Sequence, residues 1–125
     1  MRTIGIAGIL AALAAGAAMA HHSPAVFDLT KEVKVVGTVK EFRWSNPHSF
    51  IELNVPNGKG GMDPWAIEMN PPSLLVKAGW KSTTLSAGMA VTVVVNPLRT
   101  DDKIGKFVSI KLPDGKELTE KALAP

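Results

Sequence analysis

Between residues 32 and 118 apolar and polar positions alternate in short runs, and a period of two predicts β-strands. Val33, Val35, Gly37 and Val39 share one face of the first run, with Lys34, Thr38 and Lys40 opposite and Val36 the exception. The phase then flips, so that Phe42 and Trp44 become the bulky positions. A strand can change face only by twisting hard or by taking up a bulge, so this strand is predicted to be long and bent, with Gly37 marking the coil. Ser45-Asn46-Pro47 is the link to a second strand over 48–55, with Ser49, Ile51, Leu53 and Val55 on one face and His48, Phe50, Glu52 and Asn54 on the other. A Gly-rich turn over 56–61 precedes a third strand over 65–69, whose inward set is Trp65, Ile67 and Met69.

Asn70-Pro71-Pro72-Ser73 breaks the pattern. Asn70 or Ser73 is a suitable cap for a short helix, with proline in its first turn and Gly79 at its end. Leu74, Leu75 and Ala78 are its expected inward face, and Trp80 and Leu85 its satellites. Two turns cannot stand alone, so this helix must plug the end of something. A fourth strand runs from Met89 through Val91, Val93 and Val95, and residues 98–106 read as a polar, mobile loop. A fifth strand over 107–112 places Val108, Ile110 and Leu112 inward, and Asp114-Gly115 starts a small hairpin with Glu117-Leu118. The order β-β-β-α-β-β predicts an all-β fold, a five-stranded OB-like Greek-key barrel with its short helix between strands three and four. A two-sheet sandwich is the alternative, but it usually needs seven strands or more.

The start of the chain follows another rule. A basic residue, an apolar Ala/Gly-rich run over 4–18 and Ala18-Met19-Ala20 have the layout of a secretory signal peptide. The run of about 15 residues is short for a membrane-spanning helix, which needs about 20. The expected organisation is a signal peptide (1–20), an N-terminal arm (21–31), a barrel (32–118) and a flexible tail (119–125), with a periplasmic or secreted product and no stable membrane span after processing. Losing Arg2 leaves 13 basic side chains against 11 acidic ones, interspersed along the chain, which argues against a nucleic-acid partner. With no cysteine, thiolate metal sites and cysteine nucleophiles are excluded.

Candidate chemistry centres on the histidines. Cleavage after Ala20 would make His21 the N-terminal residue, able to chelate a metal through its α-amine and imidazole. One more imidazole, from His22 or His48, completes a three-nitrogen set suited to copper as Cu(II). The opposing account is a solvated His21-His22 pair and a His48 that merely ties its turn, through a backbone carbonyl or by stacking near Trp44. His48 and Glu52 are about 13 Å apart along their strand, so an acid–base partner for His48 could only be Glu68 or Asp63. Trp44, Asn46 and Trp65 are candidate ligand-binding positions for a metal-free module that takes an envelope protein, a glycan or another small ligand. The tryptophans equally suit core packing. No catalytic residue is assigned. A secreted enzyme of unknown type stays a third alternative.

His21-His22-Ser23, Phe27-Asp28, Gly37-Thr38-Val39 and Phe42-x-Trp44-x-Asn46-Pro47-His48 together resemble a family of small exported bacterial proteins known only as a domain of unknown function. Trp65-Ala66-Ile67-Glu68, Pro72-Ser73-Leu74-Leu75, Gly79-Trp80, Gly88-Met89 and residues 112–116 continue the likeness over nearly all of the expected mature chain. The chain departs from the family's habit at Pro24, where a bulky residue is common, and in the Gly-rich 56–64 segment, where relatives tend to be charged. The resemblance implies export and makes the arm and the turn a functional pair. It implies no particular activity.

Overall fold

Strand β1 (Val33–Arg43) is shared between two neighbours, and this sharing bends the sheet into a barrel. Its first half, to Thr38, pairs antiparallel with β4 (Ala90–Pro97), and its second half, from Thr38, pairs with β2 (Phe50–Pro56). The computed structural model describes residues 24–124. The expected face change occurs between Val39 and Glu41, where the β1–β2 register shifts. The extra residue, Lys40, lets Val39 point inward and Phe42 still pack on the core.

Strand β3 (Met62–Glu68) starts earlier than the alternation suggested and pairs antiparallel with β2. It also pairs in parallel with β5 (Ile104–Lys111), from Ala66↔Ile104 to Glu68↔Lys106, which closes the barrel. The order β3-β2-β1-β4-β5, with β6 (Glu117–Leu118) added at β5, is that of an OB-like Greek-key barrel. Helix α1 (Pro72–Lys77) lies between β3 and β4.

Side chains with no exposed surface form the centre, among them Ile51, Leu53, Ile67, Leu75, Val93, Val95 and Ile110. Burying each such side chain contributes about 1.5–3 kcal/mol. Trp80 belongs to this core and is no satellite. It is 2% exposed, and its ring centroid lies 5.9 Å from that of Phe42 and 5.6 Å from that of Phe107.

The structure differs from several expectations. Neither Asn70 nor Ser73 caps α1; Pro71 holds the cap position with no side-chain bond, and Pro72, which has no N–H to satisfy, opens the helix. Leu74 is exposed and Leu75 alone of the helix is buried, because so short a helix turns one narrow stripe to the barrel. The helix ends as expected at Gly79 (φ +86°), with Gly79 N–H donating to Val76 O and Trp80 N–H to Leu75 O. In β5, Phe107 is buried and Val108 is not. The β4–β5 register shifts so that Val94 faces Ser109 while Val95 faces Phe107, leaving Val108 as the extra residue. The segment after Leu118, expected to be loose, is tied by three bonds: Trp80 Nε1 to Thr119 O, Asn70 N to Glu120 Oε1, and Leu123 N to Lys77 O.

Candidate functional site

Beside the Trp44–His48 turn lies a cavity of about 270 Å³ lined by Phe27, His48, Glu68, Met69, Asn70, Lys106 and Glu120. Five parts of the chain supply these residues: the arm, the turn, the end of β3, β5 and the tail. The turn itself is rigidly built. Ser45 Oγ donates to His48 O at 2.8 Å, Ser49 is fully buried, and its backbone exchanges bonds with Met69 and Asn70. The Asn46-Pro47 peptide is cis.

His48 Nδ1 lies 2.9 Å from Met69 O. A carbonyl oxygen only accepts, so Nδ1 carries a proton and Nε2 is the nitrogen left for other chemistry. Nε2 is 3.3 Å from Glu68 Oε1, with the imidazole 37% exposed and the Glu68 side chain 9% exposed. Glu68 Oε2 is buried without a hydrogen-bond partner, a costly state for a carboxylate oxygen. His48 therefore ties its turn through a backbone carbonyl, and Glu68, rather than Asp63, is the carboxylate beside it on the neighbouring strand. Asp63 is elsewhere, bonded to Asn57 Nδ2 at 3.3 Å, and Glu52 pairs with Arg43.

Glu120 is the residue that strand periodicity could not find. It reaches the cavity from the tail, accepting the Asn70 N–H at 2.6 Å. Burial pushes its carboxyl above the ordinary glutamate range, opposed by that hydrogen bond and by Lys106. A raised folded value means that the native state holds the proton more tightly than the unfolded chain. The stabilisation is fully present below the unfolded value and is lost as pH rises through the folded one. Glu120→Gln keeps the acceptor for Asn70 and removes the titration. Relative to the native chain it should gain thermal stability at pH 7, with the gain vanishing below about pH 4.5. Melts at both pH values check this; equal differences at the two would refute it.

The arm enters the same cavity. Phe27 is buried in its wall and forms a bridge with Leu98, while Asp28 N–H donates to Pro97 O and Arg99 N–H to Val26 O. Asn96 Nδ2 holds Lys31 O at 2.8 Å. His21, His22 and the 1–20 segment lie outside the described residues. Among those described, no three His, Cys, Asp or Glu side chains converge as a metal set, and no helix is long and apolar enough to cross a membrane.

The other candidate positions are dispersed. Trp44 packs edge-on against Phe42 at 5.8 Å on the core's rim, and Asn46 is exposed on the turn. Trp65 lines a separate, open groove of about 510 Å³ with Lys40, Glu52, Asp63 and Asp102, and Lys103 Nζ stands 5.6 Å from its ring centroid.

Comparison with curated proteins and with solved structures gave no match. A family model does match, over residues 9–107, which takes in the turn, β3, the helix and most of the barrel. The chain therefore belongs to the family of unknown function DUF6152.

Proposed function

We propose that this is an exported binding protein that takes Cu(II) where its processed N-terminus meets the Trp44–His48 turn. The observation that carries this is that Phe27 and His48 line one cavity. His21 lies six positions before Phe27. Six extended residues span at most about 20 Å, a length that would let an arm tethered at Phe27 bring His21 to His48. Cleavage after Ala20 would free the α-amine of His21, which with its imidazole forms a chelate, and His48 Nε2 supplies the third nitrogen. His22 is the alternative third donor. Met69 O plays the supporting part usual beside a metal-bound histidine, accepting the second ring proton and fixing the ring.

The test is Cu(II) titration of protein starting at His21 beside protein with one extra residue before it. The extension removes the chelating amine, and affinity should fall at least about tenfold. Equal affinity would sink the proposal. Binding needs deprotonated amine and imidazole, so it should also weaken steeply below about pH 6.

The Trp65 groove supports a second reading, a metal-free module for a glycan or envelope protein. Its aromatic wall and mixed charges suit stacking with flanking polar contacts. A ligand of that kind would change Trp65 fluorescence in metal-free protein and leave a Trp65→Ala variant unbound.

A further inference from the structure

We propose that the cavity beside the Trp44–His48 turn binds a small zwitterion, a free α-amino acid with an apolar side chain, held between Glu68 and Lys106. The site uses neither His21 nor a metal, so it stands or falls apart from the copper reading. Three observations carry it.

The first is an anion with one oxygen left over. Glu68 is 7% exposed and lines the cavity. Its Oε1 faces His48 Nε2 at 3.3 Å, while Oε2 is buried with no hydrogen-bond partner. Buried carboxylate oxygens are ordinarily paired, because an unpaired one keeps the full cost of desolvation. His48 cannot serve Oε2 from its other ring nitrogen, which is engaged by Met69 O. The Asn70 N–H is likewise taken, by Glu120 Oε1 at 2.6 Å. The donor that completes Oε2 therefore enters from outside the chain, and an ammonium group brings three N–H bonds to such a site.

The second is a cation that leaves this anion alone. Lys106 lines the same cavity and is the register partner of Glu68 across β3–β5. Opposite charges on neighbouring strands gain by meeting. Here they do not: among the described residues Lys106 makes no ion pair, and its charge reaches Glu120 only at longer range. A molecule with an ammonium and a carboxylate of its own answers both groups at once. A simple amine would leave Lys106 unmatched, and a simple carboxylate would bring a further negative charge to a buried anion.

The third is the room and the wall. The cavity of about 270 Å³ equals the volume of about nine waters at roughly 30 Å³ each. A ligand of about that many non-hydrogen atoms fits it, and L-leucine is of that size. Phe27 and Met69 are both buried and give the cavity an apolar wall suited to an aliphatic side chain. The surrounding segments are already tied: Ser45 Oγ holds the turn at His48 O, and Trp80 Nε1 holds the tail at Thr119 O. Such a preformed site binds without the cost of ordering itself.

The experiment titrates the purified protein, with a chelator present, with L-leucine and with its two halves. Isoamylamine lacks the carboxylate, and isocaproate lacks the ammonium. Calorimetry gives the affinities, and the amide resonances of Met69, Asn70 and Lys106 locate the site. L-leucine should bind and shift those resonances, and each half should bind at least about tenfold more weakly, the loss of one charge-assisted contact. Glu68→Gln and Lys106→Met should each weaken L-leucine binding by about 10- to 100-fold. Isoamylamine, with nothing to offer Lys106, should bind Lys106→Met no more weakly than native protein. Either half binding native protein as tightly as L-leucine overturns the zwitterion. Native L-leucine affinity in both variants overturns the placement between Glu68 and Lys106. No saturable binding of L-leucine up to about 10 mM means that water alone fills the cavity, and overturns the proposal. The comparison of L-leucine with its halves needs no variant and decides the matter if Glu68→Gln fails to fold. The chelator keeps copper out of every measurement, so failure here leaves the copper reading to its own test.

Discussion

Trp80→Ala should lower stability by about 3–5 kcal/mol, the range for emptying a large aromatic site in a core. Trp80 sits between Phe42 on β1 and Phe107 on β5, so its ring joins two strands that do not pair with each other through the segment that follows α1. Each kcal/mol moves the melting point of a domain this size by about 4–8 °C, and total stability is only about 5–15 kcal/mol. The variant should therefore melt at least about 12 °C below the native chain, or fail to fold. Trp80→Phe separates two contributions. It keeps most of the ring packing and loses the Nε1–H bond to Thr119 O, for a loss nearer 1–2 kcal/mol. That bond also fixes the residue next to Glu120, so the smaller variant disturbs the cavity's tail wall while leaving the core nearly filled. Far-UV circular dichroism melts serve as the readout, since removing a tryptophan changes the fluorescence. A Trp80→Ala melting point within about 4 °C of native would show that Trp80 is not central to the core.

Much of this architecture was legible because β-strands report their own faces. The flip from Val39 to Phe42 requires a bulge, and the register shift is found there. The position of the helix, its stop at Gly79 and the Asp114-Gly115 hairpin were read from residue types with fixed backbone consequences. The error in β5 has the same physics behind it. Val108, Ile110 and Leu112 continue a perfect alternation, but the strand is bulged against β4, and nothing in its own sequence says that Phe107 takes the inward place. Leu74 misled in a similar way, since a helix of one and a half turns buries one position and periodicity offers two.

The site divides along different lines. Glu68 could be named as a partner for His48 because a neighbouring strand was the only place a carboxylate could stand. Its burial and its unpaired oxygen depend on the barrel's closure by β5, which no local pattern announces. Glu120 could not be named at all. It meets Asn70 from 50 positions away, from a tail without periodicity, and its bond to a backbone N–H leaves no trace in the residue type. Phe27 is the converse case. It stands in an arm without strand or helix periodicity, and the cavity wall is where it lands.

Gly37→Ala should destabilise the protein by about 3 kcal/mol, at the upper end of ordinary overpacking. Outside this setting the change would help slightly, because glycine in a strand is about 0.5–1 kcal/mol worse than alanine. Two facts reverse the sign. A Cβ at Gly37 would fall on the Asn54 carbonyl, a backbone atom that no rotamer change can move. And Gly37 sits at the handover of β1 from β4 to β2, where relief would have to come from parting one of the two pairings. Gly58→Ala is the control, since that glycine has open space around it and needs only its positive φ of 73°; its cost should stay near 1–2 kcal/mol. The collision is at the Asn54 end of β2, away from the Phe50 end that follows His48. Urea unfolding should therefore show a lower midpoint, with the turn at the far end of β2 left undisturbed. A Gly37→Ala chain as stable as the native one would mean that β1 and β2 can separate at this point without cost, and the coil that turns the sheet into a barrel would need another origin.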